Sequence, residues 1–266
     1  MFLLNTIIIS KFINDEGNKK TWDLYKIGIL YKIMKKSEDI IYSRLVFYIH
    51  LGDIMVKYIQ VWGDYMTKVV LPEEMDEIKT CILRGDVVAF PTETVYGLGA
   101  QFGNKRALDQ LFAVKNRDQK KAVTLMLSHI DMLEKYAYVD ERIMKVAQAF
   151  MPGRITLVLK RKENVDPAMT NGLPTIGIRI PDSPFVLNLI NEVGPLSVTS
   201  ANLSGGKNTT NEKEVLEQLE GRIPLVVKGQ TSSSLASTVV KLTDGKVEIL
   251  REGAITKEDI EEVFNS

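Results

Sequence analysis

From Thr67 onward, short apolar runs alternate with longer stretches of helical period, and this alternation confines the chain to the α/β class. Thr67–Val70, Val87–Phe90, Ala122–Leu127, Ile155–Lys160, Thr175–Ile180 and Leu225–Val227 read as strands, as does the run that starts at Leu196. Between them, Pro72–Leu83, Asn104–Val114, His129–Tyr136, Asp140–Phe150, Ser183–Val193, Asn211–Leu219 and Thr256–Phe264 carry helical periodicity. The local punctuation agrees. Asn104 and Thr256 are helix caps, Arg84-Gly85 is a helix stop, and Asp244-Gly245 is the turn of a hairpin joining Ser237–Leu242 to Val247–Arg251.

Residues 1–65 break the pattern. They hold more than half of the aromatic residues, both tryptophans and none of the 9 prolines. Leu24–Met34 and Ile40–Leu51 are apolar with scattered lysines, and their periodicity fits helix and strand equally. This segment reads as an N-terminal extension, with residues 66–266 as one domain. It is either an arm for a membrane surface or a partner, or sequence lying ahead of a true start at Met66.

Composition removes several chemistries. With a formal net charge of zero, no global field recruits nucleic acid, so any basic function is local. Cys81 is the only cysteine, which excludes an internal disulfide and thiolate metal sites. His50 and His129 are the only histidines, too few for a zinc site or a Ser-His-Asp triad. No residue cluster suggests a metal site. No apolar run is long enough to span a bilayer as a helix, and the cytoplasm is the expected compartment.

Four stretches hold chemistry. Phe90-Pro-Thr-Glu-Thr-Val-Tyr-Gly-Leu-Gly99 follows an apolar strand and packs hydroxyls, an acid and a phenol into a few residues. Pro91 is expected to end the strand. Gly97 and Gly99 are expected in the turn, letting backbone approach a ligand or adopt positive φ. Lys115, Arg117, Lys120 and Lys121 crowd a helix-to-strand junction. Such a run is ordinarily a solvated face, but here its cations are also placed to clamp phosphates. Arg179 stands among inward apolar residues, so it either pairs with an acid or meets an anionic ligand. Finally, Ser197-Val-Thr-Ser-Ala-Asn-Leu-Ser-Gly-Gly206 is either a polar turn bonded to itself or a cradle for phosphate or ribose.

Taken in order, these stretches resemble the YrdC/YciO-type threonylcarbamoyl-AMP synthases over residues 66 to about 264. The resemblance rests on Pro91–Gly99, Lys115-x-Arg117, Met151-Pro-Gly153, Thr175-x-x-x-Arg179-x-Pro181, Thr199-Ser-Ala-Asn202, Ser237-Thr-Val-Val and Leu250-Arg-Glu-Gly-Ala254. It implies a single YrdC-like α/β domain, a twisted mixed sheet flanked by helices around a deep basic cavity. It also implies a nucleotidyltransferase that converts L-threonine, bicarbonate and ATP into threonylcarbamoyl-adenylate and pyrophosphate. That product would feed a downstream tRNA threonylcarbamoyl-transferase complex acting beside the anticodon.

By motif, the resemblance assigns Lys115 and Arg117 to the triphosphate as the catalytic cations. It gives Lys121, Thr175, Ser200, Asn202, Asn208 and Arg251 to the nucleotide, and Thr94, Arg179 and Ser237 to L-threonine. Magnesium is expected on the phosphates, with the phosphates themselves as its main ligands. Four places depart from the family pattern: Asp118 replaces a proline, Lys121-Ala122 an Asn-Pro, Met126 a histidine, and Arg154 the second proline of a Pro-Gly-Pro. Lys121-Ala-Val-Thr-Leu-Met126 also looks like the YciO branch, so a YciO-like relative is one alternative. A double-stranded-RNA-binding module with weak tRNA contact is another, and the zero net charge speaks against it.

Overall fold

A computed structural model describes residues 45–51, 54–61, 66–116 and 122–266. The readings placed on residues 1–44 and on Arg117, Asp118, Lys120 and Lys121 lie outside the described residues. The chain divides into two compact units, Met1–Asp64 and Tyr65–Ser266. In the first, β1 (Leu45–Leu51) pairs antiparallel with β2 (Ile54–Val61), with a register irregularity between Phe47 and Ile49. The stretch Ile40–Leu51, ambiguous by periodicity, is therefore a strand over its second half.

The second unit is built on a ten-stranded sheet. Its strands are β3 (Lys68–Val70), β4 (Val88–Phe90), β5 (Gly97–Gln101), β6 (Thr124–Met126), β7 (Ile155–Lys160), β8 (Thr175–Arg179), β9 (Leu196–Ser200), β10 (Leu225–Val227), β11 (Thr238–Thr243) and β12 (Lys246–Arg251). They lie in the order β12-β11-β7-β8-β6-β9-β5-β4-β10-β3. Pairing is mixed: β10 runs parallel to β3 and β4, while β5 is antiparallel to both β4 and β9. The Asp244-Gly245 turn has φ of 56° and 69°, the left-handed pair that suits a tight hairpin between β11 and β12.

The helices are α1 (Met75–Leu83), α2 (Lys105–Val114), α3 (Leu133–Tyr136), α4 (Glu141–Phe150), α5 (Pro184–Val193), α6 (Glu212–Leu219) and α7 (Lys257–Asn265). Side chains cap α2, α4, α6 and α7, while α1, α3 and α5 have no side-chain cap. Asn104 accepts from Ala107 N at 3.1 Å, Asn211 accepts from Glu214 N at 3.0 Å, and Thr256 with Asp259 forms a reciprocal capping box. The stretch read as a helix from His129 starts as a 3₁₀ turn, Ile130–Met132, before α3.

At β4 and β10 both faces of the sheet are covered, so these two strands are apolar without alternation. Val88 and Phe90 of β4 pack with α1 and α5, while the intervening Ala89 joins α2 and α6 on the other side. A further apolar cluster gathers β7, β8, β11, α4 and α7.

One reading is corrected. Gly97 and Gly99 lie inside β5 rather than in a turn, and neither adopts positive φ. They leave room for the ring of Phe90. A Cβ on Gly99 would stand 2.6 Å from Phe90 Cε1, and one on Gly97 would meet Val198 Cγ1 at 3.0 Å and Phe90 Cε2 at 3.1 Å. Phe90 is completely buried and has no free space to turn into. Gly99→Ala is therefore expected to destabilise the fold by about 1–3 kcal/mol. Chemical denaturation checks this, and an unchanged midpoint and slope would refute the ring-packing account.

Candidate functional site

A cavity of about 360 Å³ opens where β7, β8, β11 and the Pro91–Tyr96 loop converge. Strand alternation aims the site residues. On β8, Thr175, Gly177 and Arg179 face the cavity, while Ile176 and Ile178 join the apolar core, Ile176 also touching the cavity. Thr94, Ser200, Asn208, Ser237 and Arg251 also line the cavity, so seven of the residues singled out in the sequence meet there. The described cations of the lining are Arg179 and Arg251, and no carboxylate appears among its described residues.

Arg179 is 5% exposed and held by three acceptors. Its Nη2 donates to Glu93 Oε1 at 2.6 Å and to Thr94 Oγ1 at 2.9 Å, and its Nε donates to the Gly153 carbonyl at 3.2 Å. Of the two alternatives weighed for this arginine, the pairing with an acid is present, and the same side chain also fronts the cavity. Two motifs serve as its props. In the first, the Thr92 hydroxyl donates to the Val95 carbonyl at 2.7 Å and lies 3.0 Å from that of Thr94. In the second, Gly153 N donates to the Ile180 carbonyl at 2.9 Å, which sets the Gly153 carbonyl against Arg179.

Arg251 is exposed as a residue but turns its guanidinium inward onto Ser237. Nε and Nη2 donate to the Ser237 carbonyl at 3.0 and 2.7 Å, and Nη2 reaches Ser237 Oγ at 3.0 Å. Lost hydration, then the like charge of Arg179, hold the Arg251 pKa below its ordinary value. Ser237 Oγ in turn lies 3.0 Å from Thr156 Oγ1. Close backbone contact explains the glycine after Arg251-Glu252. A Cβ on Gly253 would sit 2.3 Å from Thr238 N, so only glycine lets this segment lie against β11.

Lys115 is placed differently from its expected site. It is 1% exposed and donates to the main-chain carbonyls of Ser200 and Asn202, the latter at 2.5 Å. Asn202 is also committed to its own loop, donating to the carbonyls of Leu203 at 2.9 Å and Gly206 at 2.8 Å. Neither residue lines the cavity. Together they fix the loop that presents Ser200 and Asn208, since Ser204 N also donates back to the Lys115 carbonyl at 3.0 Å. Arg117 and Lys121 lie outside the described residues.

Three other residues complete the geometry without having been singled out as site residues. Glu93 is the counter-ion of Arg179, and its signal was an acid between two threonines at a strand end. Thr92, in the loop after β4, and Thr156, on β7, supply buried hydroxyls, and of the two only Thr156 has an inward strand position that could have marked it. Tyr96 is structural: its hydroxyl donates to the carbonyls of Val227 at 3.1 Å and Gly229 at 2.8 Å, and burial raises its pKa. Cys81 is buried beside Asp86 and its thiol is pushed up to about 12, which leaves it no nucleophilic role. Among the described residues, no group of three or more His, Cys, Asp or Glu could hold a metal ion, and no helix is long and apolar enough to cross a membrane.

The Sua5/YciO/YrdC family model, described as "Telomere recombination", matches residues 80–253. A threonylcarbamoyl-AMP synthase of Bacillus subtilis is 41% identical over 183 residues, which cover 67% of this chain and 53% of that protein. One from Bos taurus is 34% identical over 180 residues, 64% of each. The crystal structure of Pyrococcus abyssi Sua5 complexed with L-threonine superposes with a TM-score of 0.71 at 33% identity, covering 74% of this chain and 61% of that one. The chain thus spans about half the length of its Bacillus subtilis relative. The ten-stranded mixed sheet, the ordered motifs around one cavity and these matches have one explanation: the chain belongs to the Sua5/YciO/YrdC family.

Proposed function

We propose that this chain joins L-threonine, bicarbonate and ATP into threonylcarbamoyl-adenylate, releasing pyrophosphate and water. The product would pass in the cytoplasm to a transferase complex that modifies tRNA adenosine beside the anticodon. The observation that carries this reading is the wall formed by Thr94, Arg179 and Ser237, in a fold shared with a protein solved with L-threonine. A cavity of about 360 Å³ is of a size for small molecules and not for a nucleic-acid duplex.

In this reading the guanidinium of Arg179 takes the threonine carboxylate, and the hydroxyls of Thr94 and Ser237 fix the amino acid around it. Thr175, Ser200, Asn208 and Arg251 form the nucleotide side, and the Lys115–Asn202 clamp shapes its loop. Arg117 and Lys121 meet the triphosphate. The threonine amine captures carbon dioxide or bicarbonate, and the resulting carbamate attacks the α-phosphorus with pyrophosphate leaving. Such transfer depends on positioning and charge neutralisation more than on a protein nucleophile. That fits a site of Arg, Ser, Thr and Asn. Magnesium would be held mainly by the triphosphate oxygens, in keeping with the lack of any group of three or more His, Cys, Asp or Glu among the described residues.

Pyrophosphate release is expected to require threonine and bicarbonate together with ATP. A coupled pyrophosphate assay checks this, and release of ADP and phosphate instead would replace the synthase reading with that of an ATPase.

Two cations of the same motif are expected to behave differently. Lys115→Ala leaves two buried carbonyls without their ammonium, at a cost of about 1–3 kcal/mol for each group left unsatisfied, so it lowers the melting temperature as well as turnover. Arg117→Ala is expected to lose on the order of 100-fold in turnover with an unchanged melt, and Arg117→Lys to recover only part of it. Wild-type turnover in Arg117→Ala would return that position to a solvated face.

A further inference from the structure

Gly177 is a glycine that the packing of the protein does not require. Among the described residues, every other glycine has one of two reasons to lack a side chain. Seven adopt positive φ, Gly85 and Gly245 among them. Gly97, Gly99, Gly153, Gly206, Gly229 and Gly253 would each set a Cβ 3.0 Å or less from a neighbouring atom. Gly177 has neither reason. Its φ is not positive, and a Cβ there would meet Thr156 Cγ2 at 3.5 Å, Val158 Cγ2 at 3.9 Å and Thr124 Oγ1 at 4.0 Å, all ordinary contacts.

Glycine weakens a strand interior, and it marks a bulge or the close approach of another backbone or a ligand. There is no bulge here, because β8 pairs in regular register through Gly177 with Thr124 of β6 and Val158 of β7. No other backbone closes on the position either, since the nearest atoms to the missing Cβ belong to side chains. A ligand remains. Thr124, Thr156 and Val158, which surround that Cβ position, all line the cavity, as does Gly177 itself.

The place of Gly177 on β8 identifies the part of the ligand. It lies midway between Thr175 and Arg179 on the cavity face. Four residues of strand span about 13 Å, so these two side chains stand well apart with bare backbone between them. In the scheme above, Arg179 takes the threonine carboxylate and Thr175 stands on the nucleotide side. The carbamate and the α-phosphorus then meet between them. Reacting atoms must come within about 3–3.5 Å, and a side chain standing in that gap would hold them apart.

We infer that Gly177 is the meeting point of the two substrates, the bare floor over which the carbamate oxygen reaches the α-phosphorus. The step there forms the bond from that oxygen to phosphorus. It breaks the bond from phosphorus to the bridging oxygen, whose electron pair leaves with pyrophosphate. The inference rests on the synthase reading proposed above.

The test compares the full chain with Gly177→Val and its near-isosteric companion Gly177→Thr. Both new residues favour strands, so the melting temperature is expected to hold or rise. By calorimetry, each variant is expected to bind L-threonine alone with wild-type affinity. The same is expected for an ATP analogue with a methylene between its α- and β-phosphorus. Offered together, the two ligands weaken each other in the variants and not in the wild type. Threonine-dependent pyrophosphate release is expected to fall by on the order of 100-fold. Wild-type turnover in either folded variant overturns the inference, because the space over Gly177 is then idle. Loss of affinity for one ligand offered alone also overturns it, giving the position to that ligand's own subsite. Loss of a cooperative melt in both variants overturns it as well, by showing that packing needs the glycine. A wild type that releases no pyrophosphate from threonine, bicarbonate and ATP defeats the function proposed above, and this inference with it.

Discussion

A guanidinium cannot shed its charge, so Arg179 at 5% exposure must be surrounded by acceptors or the fold would not tolerate it. The acceptors come from far apart in the sequence: Glu93 and Thr94 from the loop after β4, and Gly153 from the loop after α4. Each loop is itself held, the first by the Thr92 hydroxyl and the second by the hydrogen bond from Gly153 N to Ile180. Arg179 thus ties the Pro91–Gly99 motif to the Met151–Gly153 motif across β8. The cavity is the space these tethered pieces enclose.

A second arginine on the same cavity would repel the first unless the charges were managed. Glu93 offsets Arg179 directly, while Arg251 lies against the carbonyl and hydroxyl of Ser237. Gly253 makes that placement possible, because its backbone approaches Thr238 more closely than any side chain would permit. The Lys115 clamp does the same work on the opposite wall, with an ammonium gathering the carbonyls of the Ser200–Asn202 loop. Arg251 and Lys115 thus each donate to main-chain carbonyls, and the segments so bonded present Ser237 and Ser200 to the cavity.

Much of this was legible in the residues. Strand Ile155–Lys160 and helices capped by Asn104 and Thr256 stand where periodicity and capping put them, because those signals are local. The strand at Thr175–Arg179 and the acid partner weighed for Arg179 are both found. What was not legible depended on contacts between distant residues. The role of Gly97 and Gly99 is set by the ring of Phe90 across a strand pair, and no pattern in β5 alone reveals it. Lys115 looked like a free phosphate ligand because its neighbours in sequence are cations. Its neighbours in space are the carbonyls of residues 200 and 202. Glu93 was visible as an acid in the motif, but its importance comes from Arg179, eighty-six positions away.

The most direct test of the account is a crystal structure of the chain grown with saturating L-threonine. The account predicts density for the amino acid inside the cavity, with its carboxylate on Arg179. Threonine bound away from Arg179, or a cavity that stays empty at saturation, would contradict it.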